Sequence, residues 1–356
     1  MRQQRVTSFD VAALAGVSQS TVSRALAGDQ AVSEPTRNRV VAAARELNYH
    51  IDENAARLRT GRTGTIAVVV VNREGKDRGN VNPFYFSLLG AICAAASSRG
   101  LETLVSFQDT AESFWGGYEE QRKADGLIVI GTTANRGAWD YFRALADAGA
   151  HVVFWGSPYD DLDWIRSDNL QGARLATGHL IAAGYRQIVC VTSEGSPQRQ
   201  FKERYDGYAA RMTEAGLGPR ALEIDETLPR EEQGRKAASD LLAGNDAFDA
   251  MFVVCDQIAL GALLELHDRG IAVPERVGVV GFDGIRPGAY AIPPLTSVEP
   301  DFQSAGAMLV DKLLNHVAGR TTEPRRVPVR LIERASSCGP VGNQDRVSRQ
   351  PTREKF

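Results

Sequence analysis

The sequence predicts a short all-α segment followed by a long α/β region with parallel sheets flanked by helices. In residues 7–49, apolar positions recur at helical spacing, and glycines end the first two helices. From residue 64 onward, short β-branched runs alternate with amphipathic helical stretches, which is typical of parallel sheets. The length of 356 residues exceeds the usual size of one hydrophobic core, so we expect several domains.

Charge is distributed unevenly along the chain. The whole sequence carries a formal net charge of −3, whereas residues 1–62 hold nine arginines and six acids, a charge of +3 that leaves −6 for the remainder. A basic excess is the usual electrostatic footprint of a nucleic-acid-binding surface. The N-terminal segment is therefore a candidate for binding DNA despite the acidic total.

Three short helices are predicted in the N-terminal segment. The first follows Thr7, has apolar residues at positions 9, 11, 12, 14 and 15, and ends at Gly16; the second follows Ser18 and ends at Gly28. The third begins near Ser33. Two short helices joined by a tight turn and braced by a third form a helix-turn-helix unit, whose second helix can enter the DNA major groove. A small helical dimerisation module is the alternative that helix spacing leaves open.

The second helix carries side chains that suit DNA. Amide and hydroxyl groups can bond base edges, a guanidinium can contact guanine or phosphate, and small hydroxyls suit phosphates. The candidate residues are Gln19, Ser20, Thr21, Ser23 and Arg24.

This segment resembles the DNA-binding head of the lac repressor/galactose repressor family of bacterial transcriptional regulators. The resemblance is carried by residues 10–26 (DVAALAGVSQSTVSRAL), 32–37 (VSEPTR) and 47–49 (LNY). It implies a helix-turn-helix DNA-binding domain over residues 1–50.

Residues 54–61 (NAARLRTG) resemble the family's hinge helix, which implies a hinge helix and linker over residues 51–63. Leu58 takes the place of the leucine that enters the minor groove, and Ala55 lies one turn earlier. Ile51 and Asp52 stand where the family usually has Pro-Asn, so hinge folding is expected to differ from that of relatives.

Six strands and seven helices are predicted in the long region. The strands are Ile66–Val71, Gly126–Ile130, Val152–Trp155, Ile188–Thr192, Met251–Val254 and Val277–Phe282. The helices lie near Pro83–Arg99, Trp139–Ala148, Leu170–Ala183, Phe201–Ala215, Glu231–Ala243, Asp256–Arg269 and Phe302–Val317.

The sequence contains no common signature of an α/β enzyme. No GxGxxG, GxxxxGK[ST] or GxSxG occurs, the five histidines lack metal-ligand spacing, and the four cysteines form no CxxC pair. We therefore expect no enzymatic activity, no metal site and no cofactor. The longest apolar run is too short to cross a membrane, and residues 1–10 lack the features of a secretory signal, so we expect a cytoplasmic protein that does not bind membranes.

To about residue 340, the chain is similar to the family's effector-binding region, which resembles periplasmic sugar-binding proteins with a ligand between two lobes. The matching stretches are 82–86 (NPFYF), 167–169 (SDN), 204–208 (RYDGY), 256–261 (DQIALG), 270–274 (GIAVP), 280–283 (VGFD) and 293–298 (PPLTSV). The resemblance implies a two-lobed effector-binding and dimerisation domain over residues 64–340, followed by a polar tail over 341–356.

The family pattern also places the lobe boundaries. The N-lobe is expected at about 64–165 and 299–325, and the C-lobe at about 166–294 and 327–338. The three crossings are expected near Trp164–Arg166, Pro293–Val298 and Glu323–Val327.

Candidate effector-binding residues follow from the same motifs. We expect Asp283 to accept hydroxyl hydrogen bonds and Arg204 to donate them. The candidate stacking groups are Phe84, Trp155 and Phe302. The alternatives are that Asp283 caps a turn, that Arg204 pairs with a neighbouring acid, and that the aromatic rings belong to the core.

Cys255 and Asp256 are also expected at the cleft. Relatives usually have an Asn-Asp pair there, with the Asn touching the ligand, so Cys255 puts the usual hydroxyl contact in doubt.

Together these features indicate a homodimeric transcriptional regulator, with a repressor favoured. We expect it to bind palindromic operator DNA and a small-molecule effector, with a sugar or sugar derivative favoured. The tail lacks leucine heptads, which favours a dimer over a tetramer. The alternatives from other classes are an exported sugar receptor and an α/β enzyme.

Overall fold

The computed structural model describes residues 6–26, 28–49, 62–73, 81–193, 195–196, 198–244 and 247–339. The predicted hinge residues Ala55 and Leu58 and the polar tail 341–356 lie outside the described residues. The chain divides into two compact units, Met1–Thr63 and Gly64–Phe356, and each is described by itself.

Among its described residues, the N-terminal unit contains three helices, α1 (Ser8–Ala15), α2 (Gln19–Leu26) and α3 (Glu34–Glu46). The Thr7 N–H and Oγ1 both donate to Asp10 Oδ2, at 2.8 and 2.7 Å, which ties down the start of α1. Gly16 ends α1 with φ of 62°, a left-handed conformation that favours glycine. At the start of α2, Ser18 Oγ accepts the Thr21 N–H at 3.2 Å.

Small apolar side chains form the core of this unit, which lets three short helices approach closely. Its buried members are Val11, Ala12, Ala15, Val22, Ala25, Val32, Val40, Ala43 and Ala44. Phe9 and Leu14 also lie at helical spacing but are 71% and 47% exposed. Phe9 lies on the far side of α1 from Val11, so the buried face is narrower than the apolar pattern suggested.

The second unit contains two six-stranded sheets. The first is formed by β1 (Thr65–Val71), β2 (Glu102–Gln108), β3 (Leu127–Gly131), β4 (Val152–Trp155), β5 (Trp164–Ser167) and β11 (Arg325–Val327). The second is formed by β6 (Ile188–Thr192), β7 (Ala221–Glu223), β8 (Ala250–Val253), β9 (Gly278–Phe282), β10 (Thr296–Pro300) and β12 (Val329–Ile332). The strand orders are β11-β5-β4-β3-β1-β2 and β12-β10-β9-β8-β6-β7.

All paired strands are parallel except β12, which runs antiparallel to β10. Seven helices connect and cover them: α4 (Pro83–Ser97), α5 (Arg136–Asp147), α6 (Asn169–Ala182), α7 (Arg199–Glu214), α8 (Arg230–Ala243), α9 (Asp256–Asp268) and α10 (Phe302–Val317). We call the first sheet with α4, α5 and α10 the N-lobe, and the second sheet with α6 to α9 the C-lobe. No helix among the described residues is long and apolar enough to span a membrane.

Burial on both faces of the sheets explains the continuous apolar strands. In β1, Ile66, Val68 and Val70 pack into the cluster that contains α4 and α10. The alternate residues, at positions 67, 69 and 71, pack into the cluster that contains α5. An alternating polar pattern is therefore absent from β1 because neither face meets water.

The six predicted strands and the seven predicted helices are found, with small shifts at their ends, but six further strands were not predicted. They are β2, β7 and β12, and also β5, β10 and β11, which lie where only crossings were expected. β2 and β7 lie at the outer edges of their sheets, where β2 alternates exposed and half-buried positions and β7 is only three residues long. Edge strands lack the two-sided burial that makes central strands visible in a sequence.

The crossings between the lobes lie later in the chain than predicted. β5 belongs to the N-lobe sheet through Ser167, β10 belongs to the C-lobe sheet through Pro300, and β11 stays in the N-lobe through Val327. The expected boundaries at 165, 294–299 and 325 are thus corrected to crossings at Asp168, Asp301 and Pro328. Each segment that was expected to cross between the lobes is instead a strand of the lobe that it leaves, and the chain crosses only after that strand has ended.

The three crossings lie side by side and are joined by main-chain hydrogen bonds. The Asp168 N–H donates to Val327 O at 2.9 Å, and the Asp301 N–H donates to Pro328 O at 3.0 Å. Asp168 and Asp301 then cap α6 and α10, accepting the N–H groups of Gln171 and Ser304. Each of these two crossings therefore ends where a helix of the next lobe begins.

Glycines bring α8 and α9 into close contact. A Cβ at Gly234 would lie 1.9 Å from Ile258 O, and a Cβ at Gly261 would lie 1.9 Å from Glu231 O. We expect Gly234→Ala to lower the free energy of unfolding by about 2–3 kcal/mol, because the methyl group would force the two helix backbones apart. Urea denaturation of the full chain measures this loss.

Gly137→Ala in α5 is the matched control for that substitution. A Cβ there would have its nearest neighbours at 3.6 and 4.0 Å, an ordinary contact distance. The free energy of unfolding should stay the same or rise by up to about 1 kcal/mol through helix propensity. Equal losses in the two variants would contradict the close helix contact as the cause.

Candidate functional site

Helix α2 presents the five residues predicted to contact DNA. Arg24 is exposed and its Nε lies 4.0 Å from Asp29 Oδ2, a loose pairing that leaves the guanidinium in solvent. Gln19 Nε2 donates to Ser8 Oγ at 3.2 Å, so the amide is oriented by α1. Ser20 is exposed, whereas Thr21 and Ser23 are half-buried.

A hydroxyl cluster organises the start of the same helix. Ser18 Oγ lies 2.9 Å from Ser20 Oγ and 2.8 Å from Thr21 Oγ1. Hydroxyl groups can donate or accept, so this cluster can turn its hydrogens toward phosphate or base acceptors without moving the backbone.

The second unit has a cleft of about 920 Å³, open to solvent and lined by both lobes. It lies at the carboxyl ends of the parallel strands, where ligands usually bind in such sheets. Trp155 ends β4, Cys255 follows β8 and Asp283 follows β9, and all three line the cleft.

Asp283 and Arg204 form an ion pair in the C-lobe wall of this cleft. Arg204 Nη1 lies 3.0 Å from Asp283 Oδ1, and both side chains are almost fully buried. Arg204 Nε donates to Asn169 Oδ1 at 2.9 Å, and its Cζ lies 3.6 Å from the centre of the Phe282 ring. The alternative that Arg204 pairs with a neighbouring acid is therefore compatible with a place in the cleft. The acid is Asp283, and both residues line the cleft.

The backbone of Asp283 is held in an uncommon conformation. Its φ is 118°, a region that L side chains rarely adopt. The Asp283 N–H donates to Val298 O at 2.8 Å, and Gly284 follows with φ of 64°. The turn after β9 thus aims the carboxyl group into the cleft at the expense of local strain.

Two of the three predicted aromatic residues line the cleft. Phe84 and Trp155 have their ring centres 5.9 Å apart and are each 6% exposed. Only a small part of each side chain therefore faces the cleft. Phe302 lies behind Phe84, with ring centres 5.3 Å apart, and does not line the cleft. The prediction of Phe302 as a stacking group is corrected, because the start of α10 packs this ring into the N-lobe core.

Cys255 lines the cleft as a neutral thiol. Burial, together with the charge of Asp283, raises the pKa of Cys255 to about 12. Burial raises the pKa of the Asp283 carboxyl group, and the hydrogen bond with Cys255 acts to lower it. The thiol therefore orients the carboxyl group and is not a nucleophile at neutral pH.

Asp256 does not line the cleft, which corrects the prediction for this residue. Its side chain is fully buried; Oδ1 accepts from Ser297 Oγ at 2.7 Å, and Oδ2 accepts from the Ile285 N–H at 2.9 Å. Asp256 therefore joins the start of α9 to β10 and to the turn after β9. Sequence motifs placed it beside Cys255 but could not show that α9 turns it inward.

Several cleft residues were missed by the sequence analysis. They include Arg73, Arg166, Gln198, Gln200 and Arg230. Each lies near the end of a strand or the start of a helix, on the cleft side of its lobe. The sequence could have indicated these residues only if the order of the strands in the sheets had been known.

A partly buried carboxylate joins the two lobes beside the cleft. Glu203 of α7 accepts hydrogen bonds from Arg166 Nη1 at 3.0 Å and Asn169 Nδ2 at 2.8 Å. It also accepts two bonds from Arg326, both at 3.0 Å. Burial acts to raise the pKa of Glu203, but the bonds from Arg326 and Asn169 and the charge of Arg166 hold it below its ordinary value. The carboxylate is thus charged and shared by strands of one lobe and helices of the other.

Comparison with known proteins covers both units. Residues 9–52 match the family of bacterial regulatory proteins of the lacI type, and residues 177–337 match the periplasmic binding protein-like domain. The HTH-type transcriptional regulator CelR of Thermobifida fusca is 33% identical over 92% of this chain and 96% of its own length. The ribose operon repressor of Escherichia coli K12 is 30% identical over 93% of this chain and 99% of its own length.

The chain belongs to the lacI family. The sequence resemblance stated above is confirmed, and so is the fold class. A structure of the lac repressor dimer bound to operator and the anti-inducer ONPF superposes with a TM-score of 0.73 at 26% identity, covering 94% of this chain and 99% of that one. A structure of the CelR–cellobiose complex gives a TM-score of 0.66 at 30% identity, covering 93% of this chain and all of the other.

This lacI-family protein is a DNA-binding transcriptional regulator and not an enzyme.

Asp256 of this regulator is expected to stabilise the fold without contacting ligand. Asp256→Asn keeps the volume but replaces one carboxyl oxygen with an NH2 group, which brings two amide hydrogens into a buried site where the Ser297 hydroxyl can accept only one of them. The free energy of unfolding should fall by about 1–3 kcal/mol because a buried donor is left unpaired. Urea denaturation measures this, with Asp268→Asn at the exposed end of α9 as the control.

The size of this loss should depend on pH. Burial, reinforced by the charge of Asp283, raises the pKa of Asp256 well above 3.8. The folded protein therefore holds this proton more tightly than the unfolded chain, and the resulting stability is fully present below pH 3.8 and lost as pH rises through the folded pKa. The deficit of Asp256→Asn should shrink as pH rises; a deficit that grows with pH would contradict this assignment.

Proposed function

We propose that this regulator is a cytoplasmic homodimeric repressor that binds palindromic operator DNA and responds to a sugar or sugar derivative in the cleft between its lobes. The observation that carries the proposal is a polar, two-lobed cleft whose wall residues are hydrogen-bonded directly to the crossings. A ligand that changes the relative position of the lobes would act on the strands and helices that meet at Glu203.

In this proposal, α2 enters the major groove. Gln19, Ser20 and Arg24 contact base edges, while Thr21 and Ser23 contact phosphates. Ala55 and Leu58 of the hinge, outside the described residues, contact the minor groove. The exposure of Arg24 and Ser20 and the fixed orientation of Gln19 support this assignment.

A sugar suits the chemistry of the cleft. The Asp283 carboxyl group can accept hydroxyl hydrogens, Arg204 is held beside it, and Phe84 and Trp155 offer apolar surface for C–H groups. The CelR structure is described as a cellobiose complex, which also favours a carbohydrate.

Exposed aromatic groups on the N-lobe support a homodimer. Phe86 of α4 and Phe107 of β2 are 52% and 47% exposed, with ring centres 6.3 Å apart. Val105 of β2 is 38% exposed on the same strand. A second copy that covers this patch would remove apolar surface from water and place two DNA-binding units together for a palindrome.

Arg24→Ala tests the DNA interface. Operator discrimination should be lost, with a fall in the ratio of specific to non-specific binding of about 5- to 100-fold, because a bidentate base contact contributes about 1–3 kcal/mol. Gel shifts with operator and scrambled DNA at fixed salt measure the ratio.

Arg39→Ala, which removes an exposed arginine from α3, is the control for lost charge. It should weaken binding to both DNAs to a similar extent and preserve their ratio. Loss of discrimination in both variants would argue against a specific role for Arg24.

Asp283→Asn tests the effector site. Asn tolerates a positive φ but cannot accept two hydroxyl hydrogens in the same way, so the effector concentration for half-maximal response should rise at least about tenfold. Operator binding without effector should be unchanged. Gel shifts titrated with the sugars that stabilise the wild-type protein measure both quantities.

Asp206→Asn removes an exposed carboxylate from α7, where it pairs with Lys202 at 3.0 Å, and is the matched control. It should respond like the wild type. An unchanged response in Asp283→Asn would remove Asp283 from the effector site, and an equal loss of operator binding in the absence of effector would show that the substitution acts through the fold.

A further inference from the structure

The cleft carries more positive than negative groups. Four arginines line it, at positions 73, 166, 204 and 230, against two carboxyl groups, Glu231 and Asp283. Arg204 is paired with Asp283, and Arg166 is paired with Glu203. Arg230 differs from Arg166 and Arg204 because the side chains that accept its hydrogen bonds are neutral.

Arg230 is held in place by two amides. Its Nη1 donates to Gln233 Oε1 at 2.9 Å, its Nη2 donates to Gln198 Oε1 at 2.8 Å, and its Cζ lies 5.1 Å from the centre of the Phe201 ring. Within the described parts of the chain, no carboxylate lies within ion-pair distance of this guanidinium. The adjacent Glu231 instead accepts from Gln257 Nε2 at 3.1 Å. The side chain is therefore oriented without being neutralised.

The surroundings of Arg230 add further hydrogen-bond donors. Arg230 begins α8, and its N-cap, Pro229, supplies no side-chain hydrogen bond to the first turn, so the N–H groups there have no capping side chain. Arg73 of the N-lobe reaches the same segment and donates to Leu228 O at 3.1 Å. The first turn of α8 also carries Glu231 and Glu232, so the guanidinium of Arg230, and not the helix terminus, is the group that would bind an anion.

An independent observation comes from the opposite lobe. Arg166 of β5 is 3% exposed and lines the cleft, yet its Nε–H has no hydrogen-bond partner within the described structure. A buried guanidinium donor without a partner costs about 1–3 kcal/mol, so a ligand acceptor that reaches it gains binding free energy. Arginines from both lobes thus line the cleft.

We propose that the effector of this regulator is an anionic sugar, with a carboxylate or phosphate group that Arg230 binds and that draws on the Arg166 Nε–H. The inference rests on the proposed sugar effector and specifies its chemical class. The ring hydroxyls would meet the Asp283 side of the cleft, and the acidic group would meet the start of α8. A planar guanidinium fork matches both carboxylate and phosphate oxygens.

Sugars that share a ring and differ only in charge provide the test. Isothermal titration of the full-length protein would compare glucose, glucuronate and glucose 6-phosphate, and the corresponding galactose series, with nucleobases as a third class. We expect at least tenfold tighter binding of an acidic member than of its neutral partner, decreasing as ionic strength rises. The carboxylate and phosphate members distinguish the two anion types.

Substitutions locate the effect. Arg230→Gln should remove the preference for the acidic sugar, whereas Arg230→Lys should keep part of it because the charge remains without the fork. Arg235→Gln, on the same helix but paired with Glu265 and Asp268 outside the cleft lining, should bind like the wild type. Thermal unfolding of each variant verifies that it is folded.

The outcomes separate this inference from the proposal on which it rests. Neutral sugars that bind as tightly as their acidic partners, or an Arg230→Gln variant that binds acidic sugars as the wild type does, would overturn the anionic effector and leave the sugar effector standing. Binding confined to nucleobases would overturn both.

Discussion

The partly buried carboxylate of Glu203 is the contact on which the arrangement of the two lobes depends. Its two oxygens accept from Arg166 and Arg326, on the crossing strands of the N-lobe, and from Asn169, at the start of the first C-lobe helix. A buried charge is tolerated only when its hydrogen bonds are satisfied, so the donors are confined to one geometry. Because the same Asn169 also accepts from Arg204, the wall of the cleft is continuous with the crossings.

This continuity links the cleft wall to the crossings between the lobes. Under the proposed function, a ligand that competes for Arg204 or Asp283 would perturb Asn169 and, through it, the carboxylate shared by both lobes. Coupling of this kind needs a ligand that interacts differently with two lobe arrangements, and the resulting free energy is reciprocal between the effector and DNA. The main-chain bonds at Asp168 and Asp301 join the crossings to one another.

Much of the fold could be predicted from the sequence because the central strands are buried on both faces and the helices are amphipathic. The failures have local causes. β2 and β7 were missed because edge strands carry mixed polarity, and the crossings were placed early because β5 and β10 complete their pairing before leaving a sheet. Motifs also placed Asp256 and Phe302 at the cleft, although helix rotation about α9 and α10 buries both.

The sequence by itself determined the family, the two-unit organisation and the identity of the polar residues on α2, since these depend on motif order and on local periodicity. Tertiary structure alone decided which distant residues meet. No motif singled out Arg166, Glu203 or Arg230 as a site residue, although matched stretches lie directly beside the first two. Their roles arise because the folded sheets and helices bring them together at the cleft and the crossings. Burial then turns each charge into a constraint, because a side chain removed from water must find its partner in the protein or in a ligand.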